Sequence, residues 1–88
     1  MASYGVLLKR SVLTDLDPIP ARDRARIMER TGALADNPRT AGCEKLSALE
    51  RYRVRVGDDR VVCSIGDEQL VVWVVRVDYR RDVYRRKG

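Results

Sequence analysis

Residues 52–75 read YRVRVGDDRVVCSIGDEQLVVWVV, and this stretch decides the fold. Tyr52-Arg53-Val54-Arg55-Val56 alternates strictly, which places Val54 and Val56 on one face of a strand and Arg53 and Arg55 on the other. Gly57-Asp58-Asp59 has the chemistry of a turn. Arg60 to Ile65 then returns as the second strand of a hairpin, with Cys63 turned toward the core. Gly66-Asp67-Glu68-Gln69 turns the chain again. Leu70-Val71-Val72-Trp73-Val74-Val75 is apolar at every position, the pattern of a central strand covered on both faces, with Trp73 in the core.

Upstream of this meander the period is helical. Residues 3–9, SYGVLLK, read as a short first strand. Ser11 is placed to cap a short helix running to about Asp17, with Val12, Leu13 and Leu16 as its apolar side and Pro18 as its stop. Pro20 opens a second helix, because proline is tolerated in a first turn. Ile27, Met28, Thr31, Leu34 and Ala35 recur at helical spacing and form its core-facing stripe, while Arg22, Arg24, Arg26 and Arg30 point elsewhere. Asn37-Pro38 ends it. Residues 38–50 read as a connector with Gly42 and Cys43, anchored by Leu46 and Leu49. The tail from Arg76 to Gly88 is polar and basic, with a short helical turn at Asp82-Val83-Tyr84. Strand, two helices and a three-strand meander make an α+β fold: two N-terminal helices packed on one face of a small, largely antiparallel four-stranded sheet. At 88 residues the chain is expected to be one domain, 1–88, with a modest core.

Charge is unevenly spread. The net charge is +5, and residues 1–50 carry eight basic and seven acidic side chains against ten and six in residues 51–88. Arginine dominates that second half, and its planar fork suits phosphate. An anionic partner follows, either nucleic acid or an acidic protein. Histidine is absent, which excludes Ser-His-Asp and Cys-His catalysis. Cys43 and Cys63 without histidine do not make a usual zinc site. No metal and no cofactor are implied. With no signal peptide and no long apolar run, the expected location is the cytoplasm, with both thiols free.

Arg53 and Arg55 stand about 7 Å apart along one strand face. Arg60 opens the returning strand beside them. Like charges side by side cost stability, a cost that a bound phosphate removes; Asp58 and Asp59 offer the alternative, purely structural neutralisation. Tyr79 and Tyr84 each provide a phenol and a ring for stacking on a base, or for packing over the sheet edge.

These segments carry a resemblance. YRVRVGDDRVVCSI, a Val-rich strand and then RVDYRRDVYRR resemble the RelE branch of the RelE/ParE toxins of type II toxin–antitoxin systems, and DNPRTAGCEKLSALERYRVRVGD follows the same family's pattern. The resemblance covers nearly the whole chain. It implies a RelE-like fold and a metal-independent, ribosome-dependent endoribonuclease (an mRNA interferase). Such a toxin cuts messenger RNA in the ribosomal A site by attack of the 2′-hydroxyl on the neighbouring phosphate. By the same similarity Arg60 and Arg80 grip the scissile phosphate, Arg53 and Arg55 hold the RNA, and Tyr84 orients or activates the 2′-hydroxyl; Tyr79 and Arg81, beside these matched positions, are read as further RNA-binding residues. A cognate antitoxin that also carries the complex to operator DNA is implied, together with the ribosome and mRNA as partners and no membrane. The chain departs from the family pattern at Asp59, Cys63, Asp78 and Tyr79, and has arginine where the family often has lysine at Arg53 or Arg55. Two alternatives stay open: a ParE-like DNA gyrase inhibitor without nuclease chemistry, and a toxin fold that only binds its antitoxin.

Overall fold

The computed structural model describes residues 3–40, 42–46 and 51–79. The alternating segment is strand β3 (Arg51–Val56), joined to β4 (Asp59–Gly66) by the two-residue turn Gly57-Asp58. Gly57 has φ +62° and Asp58 does not share a positive φ, the pattern of a type II′ hairpin turn, which places glycine at its first central position. β4 continues through residues 67–70 into β5 (Val71–Asp78). Leu70 lies in the left-handed region at φ 55° at the end of this second turn.

The first strand, β1 (Gly5–Leu8), pairs in parallel with β5, with Gly5 opposite Val71 and Leu8 opposite Val74. Helix α1 (Arg10–Leu16) follows and packs on β5, where the Asp15 carboxylate accepts a hydrogen bond from the Val77 N–H at 3.2 Å. Its N-cap is Lys9 and not Ser11, which lies inside the first turn and makes no cap bond. Helix α2 (Ala21–Ala33) opens on Pro20 as expected.

The sheet has five strands in the order β1-β5-β4-β3-β2, one more than the sequence predicts. The addition is β2 (Cys43–Leu46), antiparallel to β3 at the far edge and taken from the segment read as a connector.

Both helices cover the same face. Val12 and Leu16 from α1, Ile27 and Leu34 from α2, and Ile19 between them meet Val54, Val56, Val61, Cys63, Ile65, Val72, Val74 and Val77 of the sheet. Full burial of each aliphatic side chain contributes about 1.5–3 kcal/mol. Thr31, the polar member of the α2 stripe, is buried with its hydroxyl donating to the Ile27 carbonyl at 2.7 Å. Leu13 and Met28, read as core, are exposed instead.

Strand β5 corrects the sequence reading most. Pairing passes from Val62 opposite Arg76 to Cys63 opposite Val74, so Val75 is an extra residue and the strand bulges there. The bulge changes the phase of the alternation. Val72, Val74 and Val77 all face the helices although the last two are three residues apart. Trp73 and Arg76 face the opposite way. Trp73 is 48% exposed, so it is not core, and β5 is covered on one face only among the described residues.

Candidate nucleic-acid interface

The face of the sheet turned away from the helices is where the predicted arginines come together. Strand pairing sets its side chains in three rows. The first runs Asp78, Arg60, Arg55 across β5, β4 and β3. The second runs Arg76, Val62, Arg53, Glu44 from β5 to β2. The third crosses all five strands as Leu7, Trp73, Ser64, Arg51, Leu46. Neighbouring strands lie about 4.8 Å apart and rows about 7 Å. Three of the five proposed catalytic residues, Arg53, Arg55 and Arg60, therefore share one small area.

Their electrostatic states differ. Arg53 is spoken for: its guanidinium pairs with Glu44 at 2.5 Å on the edge strand. Arg55 and Arg60 sit directly opposite one another, and neither forms an ion pair with any described residue. Asp78, the carboxylate opposite Arg60 in the strand register, is held by Arg76 at 3.1 Å. Two guanidiniums on facing strand positions, without an ion pair among the described residues, cost folding energy, and an anion between them reverses that cost.

Tyr79 is placed differently from its expected role. It is 5% exposed and its hydroxyl donates to Asp23 of α2 at 2.9 Å, which ties the end of β5 to the helix layer. A ring so covered has no open face for a base, and this removes Tyr79 from the RNA-stacking set. Arg80, Arg81 and Tyr84 lie outside the described residues.

Sequence reading missed a second polar cluster. Arg39, from the segment after α2, grips Asp67 of the β4–β5 turn with both guanidinium nitrogens at 2.9 Å, donates to the Tyr52 hydroxyl at 3.3 Å and stacks 5.0 Å above that ring's centroid. Tyr4 donates to the same carboxylate at 2.8 Å. The Arg39 fork, with Tyr4 second, holds the Asp67 carboxyl below its usual range, and the bond to Asp67 raises the Tyr4 phenol. Nothing in the spacing of residues 4, 39, 52 and 67 announces this cluster. Cys43 and Cys63 are both free thiols. Burial, with the Cys43 thiol as a smaller contribution, pushes Cys63 up to about 11, and burial raises Cys43 too, so neither is an activated nucleophile.

A shallow hollow of about 320 Å³ opens on the same sheet face, lined by Lys9, Arg51 and Arg76 around Leu46, Val62 and Val75. Cations around an apolar floor offer phosphate contacts beside a surface on which a base can lie.

An open, arginine-lined sheet face over two helices defines a class of small α+β proteins, and comparison with known proteins identifies it. The family model described as "ParE toxin of type II toxin-antitoxin system" matches residues 6–84. The chain belongs to the RelE/ParE superfamily, the toxins of type II toxin–antitoxin systems. Toxin RelG of Mycobacterium tuberculosis is 33% identical over 85 residues, which span 94% of this chain and 98% of RelG. Among solved structures, the M. tuberculosis toxin–antitoxin complex RelBE2 contains a chain 28% identical with a TM-score of 0.79, covering 89% of this chain and 99% of that one. The archaeal RelE–RelB complex from Pyrococcus horikoshii gives 25% identity and a TM-score of 0.79 over 89% of this chain and 96% of its own. A ParDE system from Pseudomonas aeruginosa shares the fold at 11% identity and a TM-score of 0.73.

Proposed function

We propose that this toxin is a metal-independent, ribosome-dependent endoribonuclease that cuts messenger RNA in the A site. The observation that carries the reading is the Arg55–Arg60 pair, which faces itself across the hairpin with no ion pair to any described residue. In the proposed reaction the 2′-hydroxyl oxygen bonds to the adjacent phosphorus and its proton leaves. The bond to the 5′-oxygen breaks, that oxygen takes a proton, and the products are a 2′,3′-cyclic phosphate and a 5′-hydroxyl. Negative charge accumulates on the phosphoryl oxygens in the transition state. Arg60 and Arg80 are the proposed phosphate grips, fixed donors aimed at charge as it develops. Arg55 and Arg53 hold the flanking backbone, Arg81 extends that hold and Tyr84 orients the attacking hydroxyl. An arginine stays protonated at any ordinary pH, so Arg53 and Arg55 act by charge and not as general bases.

Its partners on this reading are the ribosome with its mRNA and a cognate antitoxin. Solved relatives captured as toxin–antitoxin complexes support the antitoxin, and a net charge of +5 favours an acidic segment. Through that antitoxin the complex reaches operator DNA, and the cytoplasm is the place of action. A second reading, inhibition of DNA gyrase without nuclease chemistry, draws on the family model's description as a ParE toxin.

The deciding experiment induces the chain in cells and maps mRNA ends by primer extension on translating ribosomes, with Arg60→Ala and Tyr84→Phe alongside. Growth arrest with new A-site cuts that disappear in Arg60→Ala is the expected result. Arrest without cuts, with loss of supercoiling activity, moves the assignment to gyrase. No arrest leaves a toxin fold that serves only to bind its antitoxin.

A further inference from the structure

Helix α2 carries Arg22, Arg26 and Arg30 at four-residue intervals, so the three lie on one exposed helix face and rise about 6 Å from each to the next. Repulsion between like charges at this spacing works against the helix. None of the three forms an ion pair with a described residue. The row ends at the catalytic hairpin. Arg26 lies against the β3–β4 turn, where a Cβ built on Gly57 would stand 3.1 Å from its Nη2. Arg26, Arg30 and Arg55 together line a cleft of about 350 Å³ completed by Glu29, Val56 and Gly57. Three guanidiniums against one carboxylate leave this cleft with a net charge of +2 (3 − 1).

We propose that the cleft between α2 and the hairpin turn is a second phosphate-binding site for the RNA backbone, joined to the open sheet face through Arg55. This rests on the reading of the chain as acting on RNA. Arg55 lines this cleft and also the neighbouring hollow with Gly42, Glu44 and Arg53, so one guanidinium is shared between the sheet face and the cleft beside α2. The chemistry selects phosphate over a protein. Protein interfaces are anchored by buried apolar side chains, and the cleft offers only Val56, itself 6% exposed. The exposed apolar side chains of the open face, Leu7 and Trp73, stand at its far end. Glycine at 57 leaves the room that the Arg26 guanidinium occupies.

The test uses the full chain and a twelve-nucleotide single-stranded RNA methylated at every 2′-oxygen, which cannot be cut by 2′-hydroxyl attack. Binding is measured by anisotropy across a salt series for wild type, for Arg26→Gln with Arg30→Gln, and for Arg10→Gln on α1 as a charge control, with thermal melting to confirm folding. Each phosphate contact on a single strand contributes about 0.7 to the slope of log affinity against log salt. The double variant is expected to lose about 1.4 in slope and roughly tenfold in affinity at low salt, while Arg10→Gln is unchanged. An unaltered slope in the double variant, or no binding by wild type, overturns the site. So does loss of binding to polyglutamate with RNA binding intact, which assigns the cleft to an acidic protein. Cut mapping with the same variants separates the two ideas. Cuts by wild type with no slope change overturn the second site alone; a slope change without cuts supports the site and removes the nuclease assignment.

Discussion

Two arginine clusters occupy opposite ends of the β3–β4 hairpin and treat the same side chain in opposite ways. At the β4–β5 turn, Arg39 is matched by a bidentate carboxylate, a phenol and an aromatic face. At the other end, Arg55 and Arg60 face each other with no ion pair among the described residues. A guanidinium with its full set of partners fastens segments together: here the one after α2, strand β3 and the second turn. A guanidinium left unmatched on an open face is poised for an anion that arrives from outside. On the proposed function, partnering, more than charge, separates architecture from action in this molecule.

The sharpest way to break the comparison is Arg60→Ala. Loss of one preorganised donor at a developing anion costs about 10²–10³ in rate, so on the proposed nuclease function A-site cleavage should fall by that factor. The denaturation midpoint should hold or rise slightly, because a like-charge neighbour of Arg55 is gone. A large loss of stability would move Arg60 into the structural group. Arg39→Ala should behave in the reverse sense: stability falls by about 1 kcal/mol in chemical denaturation, from a partly exposed ion pair and a cation–π contact, with the salt dependence of RNA binding unchanged.

Glu44→Gln tests the intermediate case, Arg53, which has one partner on an edge strand. Releasing that guanidinium should steepen the salt slope of RNA binding by about 0.7, one phosphate contact, read by the same anisotropy titration. The smallest effect belongs to Asp67→Asn. The folded carboxyl is held below its unfolded value near 3.9, so its stabilisation is present above that pH and lost as pH falls through the depressed folded value. Wild type and variant should differ in melting temperature at pH 6 and converge in stronger acid. A constant difference at all pH values would show that Asp67 acts through shape and not charge.

Much of this was legible in the sequence, for physical reasons that also explain the misses. Strict alternation in residues 52–56 reports a strand with one covered face, and β3 pairs as that pattern predicts. The Arg53, Arg55 and Arg60 grouping follows from it, since a two-residue turn fixes the register. Strand β2 was hidden because Cys-Glu-Lys-Leu at a sheet edge needs no apolar alternation. Trp73 was misplaced because an unbroken apolar run carries no phase, and the bulge at Val75 shows only in the pairing. Tyr79 was offered to RNA because nothing nearby in sequence reveals Asp23 as its partner, 56 residues earlier. Arg39 and Asp67, 28 residues apart, meet only once the sheet has formed. Contacts set by local periodicity were readable; contacts set by topology were not.

The parallel pairing of β1 with β5 also governs when the protein can exist as a fold during synthesis. Gly5 is made before its partner Val71, which follows 66 residues later (71 − 5). Pairs this distant in sequence close late and slowly. Until residues 71–78 emerge, the N-terminal strand has no neighbour and α1 has no sheet beneath it. A toxin built on such a long-range closure carries its arginine hairpin before it has a finished sheet, and the fold is complete only when residues 71–78 join β1.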